Sequence, residues 1–118
     1  MADNYISRKI ENGTINISED VVAALVKTSA AEVEGFAEFV NASGQDLAEF
    51  IGVKMNRKGV KIHLTEEKII VDAVMTVKYG YNIVEVASKI QEAAASAIQL
   101  STGFEEIEVN VHVAGIAF

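Results

Sequence analysis

VKYGYNIVEVASKI, Val77–Ile90, is the stretch on which the reading of the chain turns. Its first residues close a run in which Ile69, Val71, Ala73, Met75 and Val77 recur on one face, the period of a strand. From Ile83 the apolar residues recur at helical spacing instead. Gly80 lies between the two, a place where phosphate-binding loops are built. A Walker-type loop, however, needs several glycines and a lysine at the helix start, and a dinucleotide fingerprint needs three spaced glycines. Here a single glycine is followed by Asn82, with Glu85 three residues on, the pattern of a capping box. Tyr81 and Val86 stand at the positions of a hydrophobic staple. Gly80 then has only to turn the chain. The stretch predicts a capped helix following a strand, with no nucleotide or other cofactor bound at the junction.

Upstream, Val60, Ile62 and Leu64 alternate with Lys61, His63 and Thr65, and a turn around TEEK leads to Ile69, Val71, Ala73, Met75 and Val77 on one face. These two runs predict a β-hairpin. Downstream, the helix runs from Ile83 to about Ser101 with a face of small residues: Val86, Ala87, Ile90, Ala94, Ala97 and Ile98. The closing EEIEVNVHVAGIAF alternates Ile107, Val109, Val111 and Val113 with Glu106, Glu108, Asn110 and His112, another strand. Toward the N-terminus, GTINI (Gly13–Ile17) reads as a short strand and Ser18 as the N-cap of a helix. Glu19 and Asp20 suit the positive end of its dipole, and Ile17 and Val22 form a staple. Its stripe of Val22, Leu25, Val26, Ala30 and Val33 persists to Gly35. Between 36 and 58, DLAEFIG suits a short helix ending at Gly52 and the rest reads as loop.

The order is β-α-β-β-α-β, an α+β fold with two helices packed on one face of a four-stranded, largely antiparallel sheet. The strand order usual for that layout is 4-1-3-2. Residues 1–9 read as an N-terminal tail and 10–118 as one domain, and 118 residues are enough for a single core. Half the residues are hydrophobic, as in a globular protein, and the absence of cysteine excludes disulfides and thiolate metal sites. The start of the chain carries both charges and no apolar run, unlike a signal peptide, which points to the cytoplasm. A formal charge of −7 argues against direct contact with nucleic acid or with bare anionic membrane.

No residues assemble into a recognisable catalytic set. His63, Asp72 and His112 all project to the outer sheet face and invite a metal reading. In the 4-1-3-2 order, though, the two histidines sit on opposite edges, about 14 Å apart across three strand spacings, too far to share an ion. Carboxylate clusters at Glu66–Glu67 and Glu105–Glu106–Glu108 read as solubilising edges. Lys54, Arg57, Lys58, Lys61 and Lys68 make a positive patch on an acidic chain, suited to an acidic protein partner or to a second copy. Phe36, Phe39 and Phe50 have two readings, caps over the core or an apolar contact surface for a partner.

GTINISEDVVAALVKTSAAEVEGF, KGVKIHL, VKYGYNIVEVASKIQEAAASAIQLSTGF and IEVNVHVAGIAF together resemble the alkaline shock protein family of bacterial envelope stress response proteins. The likeness runs from about Ile10 to the end, and Phe36–Arg57 departs from the pattern. The resemblance implies a small cytoplasmic protein, mainly Gram-positive, that is non-enzymatic and serves cell-envelope homeostasis. It implies a scaffold that self-associates or is held near the membrane by a small anchored partner. The alternative it implies is a regulator of a soluble metabolic enzyme, in fatty-acid synthesis. It assigns no catalytic, metal or cofactor residues.

Overall fold

The computed structural model describes residues 5–10, 13–40 and 59–118. Strands β1 (Tyr5–Ile10) and β2 (Gly13–Ser18) form an antiparallel hairpin, and helix α1 (Glu19–Ala31) follows. Then come β3 (Phe36–Phe39), β4 (Val60–Leu64), β5 (Lys68–Lys78), helix α2 (Ile83–Thr102) and β6 (Glu106–Ala117).

The α+β fold with two helices on a four-stranded sheet is as expected, but the membership and order of the strands differ from 4-1-3-2. GTINI is not in the sheet. It pairs with Tyr5–Ile10, inside the segment read as a tail, with Ile10 opposite Gly13 across two intervening residues. Such a local pairing closes a very short loop, whereas insertion between distant strands closes a long one. The vacated place is taken by β6, which lies directly beside β5 and parallel to it. Parallel neighbours need a crossover connection, and α2 supplies it. The fourth sheet strand is β3, in the segment read as loop. It runs antiparallel to the end of β5 that β4 does not reach. The short helix expected over DLAEFIG lies outside the described residues.

β3 and β4 therefore share one flank of β5 and meet at Val74. The Val40 N–H donates to the Val74 carbonyl at 2.9 Å, and the Val74 N–H donates to the Gly59 carbonyl at 2.8 Å. The β4–β5 hairpin is closed by Thr65, whose Oγ1 accepts from the Lys68 N–H at 2.9 Å.

The alternations fall as read. Val60, Ile62, Ile69, Val71, Ala73, Met75 and Val77 are buried against the helices. From α1 come Val22, Ala23, Val26 and Ala30, and from α2 Val86, Ile90, Ala94 and Ile98, all buried. α1 lies against β3 and β4, α2 against β6, and the helices touch each other. Each fully buried Ile or Val removed from water contributes about 1.5–3 kcal/mol. Both helix starts are capped: Ser18 Oγ accepts from the Val21 N–H at 3.4 Å, and Asn82 Oδ1 from the Glu85 N–H at 2.9 Å. Gly103, at φ 80°, ends α2 with its N–H on the Gln99 carbonyl. The staple at the start of α2 is seated on Gly35 (φ 97°), where a Cβ would stand 2.7 Å from Val86 and 2.9 Å from the Tyr81 ring.

Candidate interaction surface

With the helices on one side, the outer face of the sheet displays the alternate members of each strand, polar for the most part but with Ile70 and Val74 among them on β5. On β4 these are the exposed Lys61 and His63, with Lys61 opposite Asp72 of β5. A polar chain crosses the three strands. His63 Nε2 is 3.4 Å from Asp72 Oδ2, and Asn110 Nδ2 donates to Asp72 Oδ1 at 2.9 Å. The same amide donates to Glu108 Oε2 at 3.1 Å, and Lys68 Nζ reaches Glu108 Oε1 at 3.1 Å. The Asn110 amide, and then the hydrogen bond and charge of Lys68, hold the Glu108 carboxyl below its ordinary pKa. These groups are all solvated, so the pairs add little stability each. They satisfy one another on an open face.

The two histidines stand closer in strand count than the 4-1-3-2 order would put them. β4 and β6 flank β5, two spacings instead of three, but His63 is opposite Ile70 and His112 opposite Val74. About 10 Å across the strands and about 13 Å along them still separate the pair beyond the reach of one ion. No group of three or more potential metal ligands occurs among the described residues. At the opening junction, Asn82 occupies the N-terminal N–H of Glu85 with its own side chain, the capped start that the sequence predicts.

Of the proposed contact residues, Lys54, Arg57, Lys58 and Phe50 lie outside the described residues. Phe36 and Phe39 are half-buried, 4.8 Å apart between ring centroids, and packed on the core. That is the core-capping role, with part of each ring left facing outward. Two features had no signal in the pattern. Tyr79 and Phe118 stack at 5.2 Å where β5 and β6 end, and both are largely exposed. Gln91 of α2 donates through Nε2 to the Val109 carbonyl at 3.0 Å.

That last bond bears on the edge of the sheet. In β5 the N–H and C=O of Val74 point to β3 and β4, so the odd-numbered residues on either side point to β6. In a parallel pair they bond to the residues flanking their register partners. Up to His112 those flanking residues are the even-numbered Glu106, Glu108, Asn110 and His112. The odd residues Ile107, Val109, Val111 and Val113 therefore direct their backbone groups away from β5. β6 is a twelve-residue strand at the edge of the sheet among the described residues, and its outward carbonyl at Val109 carries the Gln91 cap.

The described residues thus form a small two-layer domain with an open outer sheet face and a long edge strand. Residues 7–118 match the alkaline shock protein 23 family, described as having a cell envelope-related function, and the chain belongs to that family. It is similar to the uncharacterised protein YqhY of Bacillus subtilis strain 168, 30% identical over 106 residues covering 90% of this chain and 78% of YqhY. It is also similar to the uncharacterised protein Spy1614 of Streptococcus pyogenes serotype M6, 33% identical over 108 residues covering 90% and 89%. Among solved structures, the manganese form of a MamM CTD matches with a TM-score of 0.45 and 18% identity over 80% of this chain and 98% of that one. Among the described residues no helix is long and apolar enough to cross a membrane.

Proposed function

We propose that the protein serves the envelope-related role of its family as a non-enzymatic interaction protein, on the cytoplasmic side, that associates with itself and with a small membrane-anchored partner. The observation that carries this reading is the outward edge of β6, unpaired among the described residues, a row of backbone donors and acceptors suited to taking on another strand. The outer face supports it, because a solvated polar chain of His63, Asp72, Asn110, Glu108 and Lys68 lies open across three strands. The net charge of −7 opposes direct adsorption to anionic lipid, so proximity to the membrane would come through a protein tether. Lys61, with Lys54, Arg57 and Lys58, supplies a positive surface for an acidic partner, and Phe36, Phe39 and Phe50 add apolar contact.

The test is sedimentation equilibrium across a wide concentration range, with cross-linking and capture in the native cell alongside. The expected mass rises with concentration above the 12.7 kDa of one chain. A small membrane protein is expected in the captured material. Reversal of Lys58 and Lys61 to glutamate weakens association and leaves thermal stability unchanged. A monomer at every concentration that captures no partner would overturn the reading. Recovery of a soluble enzyme of fatty-acid synthesis would move the role to metabolic regulation.

A further inference from the structure

We propose that two copies of this chain join through β6, edge to edge and antiparallel about a two-fold axis at Asn110, making one continuous sheet. This rests on the self-association proposed above and gives it a surface and a register.

The edge-facing residues are Ile107, Val109, Val111 and Val113, and beyond Val113 the register shifts by one residue against β5. Regular pairing is therefore confined to the stretch before that shift. Three two-fold registers keep like faces together there, centred on Val109, Asn110 or Val111. Of these, the Asn110 register alone uses all four edge-facing residues of both strands, with Ile107 bonded to Val113 of the second copy and Val109 to its Val111. Centring on Val109 leaves Val113 opposite Glu105, before the strand begins, and centring on Val111 leaves Ile107 opposite Gly115, past the shift.

The side chains are compatible with this register. On the inner face it sets Ile107 against Val113 and Val109 against Val111, and three of these four are only half-buried in one copy. On the outer face it sets Glu108 opposite His112 of the second copy, twice by symmetry, and Glu106 opposite Ala114. No carboxylate then faces a carboxylate, although each chain carries a net charge of −7; the same holds in the other two registers, so charge permits the seam and the backbone pairing selects the register. The charge complementarity is that of the strand with itself. Gln91 does not block the seam: a carbonyl oxygen has two lone pairs, and the Val109 oxygen can accept both the Gln91 amide and the Val111 N–H of the second copy.

The absence of cysteine makes single-cysteine reporters clean. Residues facing each other in a non-hydrogen-bonded antiparallel pair have Cα atoms about 4.5 Å apart, within the range a disulfide spans. Asn110→Cys is expected to form a disulfide dimer under mild oxidation at least about ten-fold faster than Glu92→Cys, an exposed reporter on α2. An equimolar mixture of Glu108→Cys and His112→Cys is expected to give the mixed dimer, while either alone gives little. The mixture keeps Asn110 in place, so it tests the register independently of any effect of the first substitution. If the unmodified protein self-associates but Asn110→Cys and the mixture oxidise no faster than Glu92→Cys, the β6 seam is wrong and self-association stands. Preferential cross-linking of Val111→Cys or Val109→Cys to itself overturns the register. A strict monomer in sedimentation overturns both the seam and the reading on which it rests.

Discussion

Replacement of Gly59 by alanine tests the junction at which β3 and β4 meet on β5. Gly59 has φ +74°, and a Cβ there would stand 2.6 Å from the Val40 carbonyl oxygen and 2.8 Å from its nitrogen. The left-handed conformation alone costs an alanine about 1–2 kcal/mol. The contact adds to this, because the obstacle is backbone. Val40 cannot withdraw without losing its hydrogen bond to Val74, and overpacking of that kind costs about 1–3 kcal/mol. Together the loss is about 2–5 kcal/mol. At an unfolding entropy of about 2.1 cal/mol/K per residue, a chain of 118 residues loses about 4 °C of Tm per kcal/mol, so the expected drop is about 8–20 °C. Gly80 is the control: its φ is +97°, yet nothing lies within 4 Å of the Cβ site. Gly80→Ala should show the conformational cost alone, reduced by the lower entropy of its unfolded chain. Thermal unfolding of the two variants separates the contributions. Equal losses would refute the close approach of β3 to β4.

Asn82→Ala removes the cap of α2 and should cost about 1 kcal/mol in chemical denaturation, with association unchanged below the transition. Ile15→Asp should cost about 1 kcal/mol, because Ile15 is 49% exposed on the hairpin and loses only about half the contribution of a fully buried Ile; a loss of several kcal/mol would restore GTINI to the sheet. Phe39→Ala should cost about 3 kcal/mol, the low end of the range for a core phenylalanine, since the half-exposed ring packs on both core clusters. Glu108 has its pKa lowered on folding, so its contribution is full above the unfolded value near 4.5 and is lost as pH falls through the folded one. The stability difference between the native chain and Glu108→Gln, followed by thermal unfolding against pH, should shrink on acidification through that window.

The parts legible in the sequence are those where one period runs uninterrupted. The β5 and β6 alternations and the two capped helices each repeat a pattern long enough to identify itself, and their buried residues follow. β3 was hidden by its own geometry. Phe36 pairs with Val77 and Glu38 with Thr76, so an extra residue at Ala37 bulges the strand. The bulge lets Phe36 and Phe39, three apart, both pack on the core, which breaks the period of two. GTINI shows the opposite failure. It is a strand, but alternation says nothing about which strand lies beside it, and the competing partner came from the segment read as a tail. Gln91 on Val109 and the stack of Tyr79 on Phe118 join residues that share no sequence pattern, so only the folded chain brings them to notice.

The strand order has a consequence for how β6 can be used. An edge strand offers itself as a partner only if it holds its shape before contact, since ordering it during association would cost affinity. Here β6 is held along its whole paired length by β5, which lies in the middle of the sheet and is itself clamped on its far flank by β3 and β4. Its inner face is held by α2, through Val109 in the core and through the Gln91 bond. The same crossover that makes β6 parallel to β5 thus places a helix over the strand and leaves its outer margin open. Natural edges of this length are commonly defended by charge, bulge or cover. On β6 the charges lie on the outer face, the register shift comes only after Val113, and the Gln91 cap lies on a carbonyl that can accept twice. The defences therefore limit where another strand can pair without closing the edge, which favours one self-complementary register over indiscriminate addition.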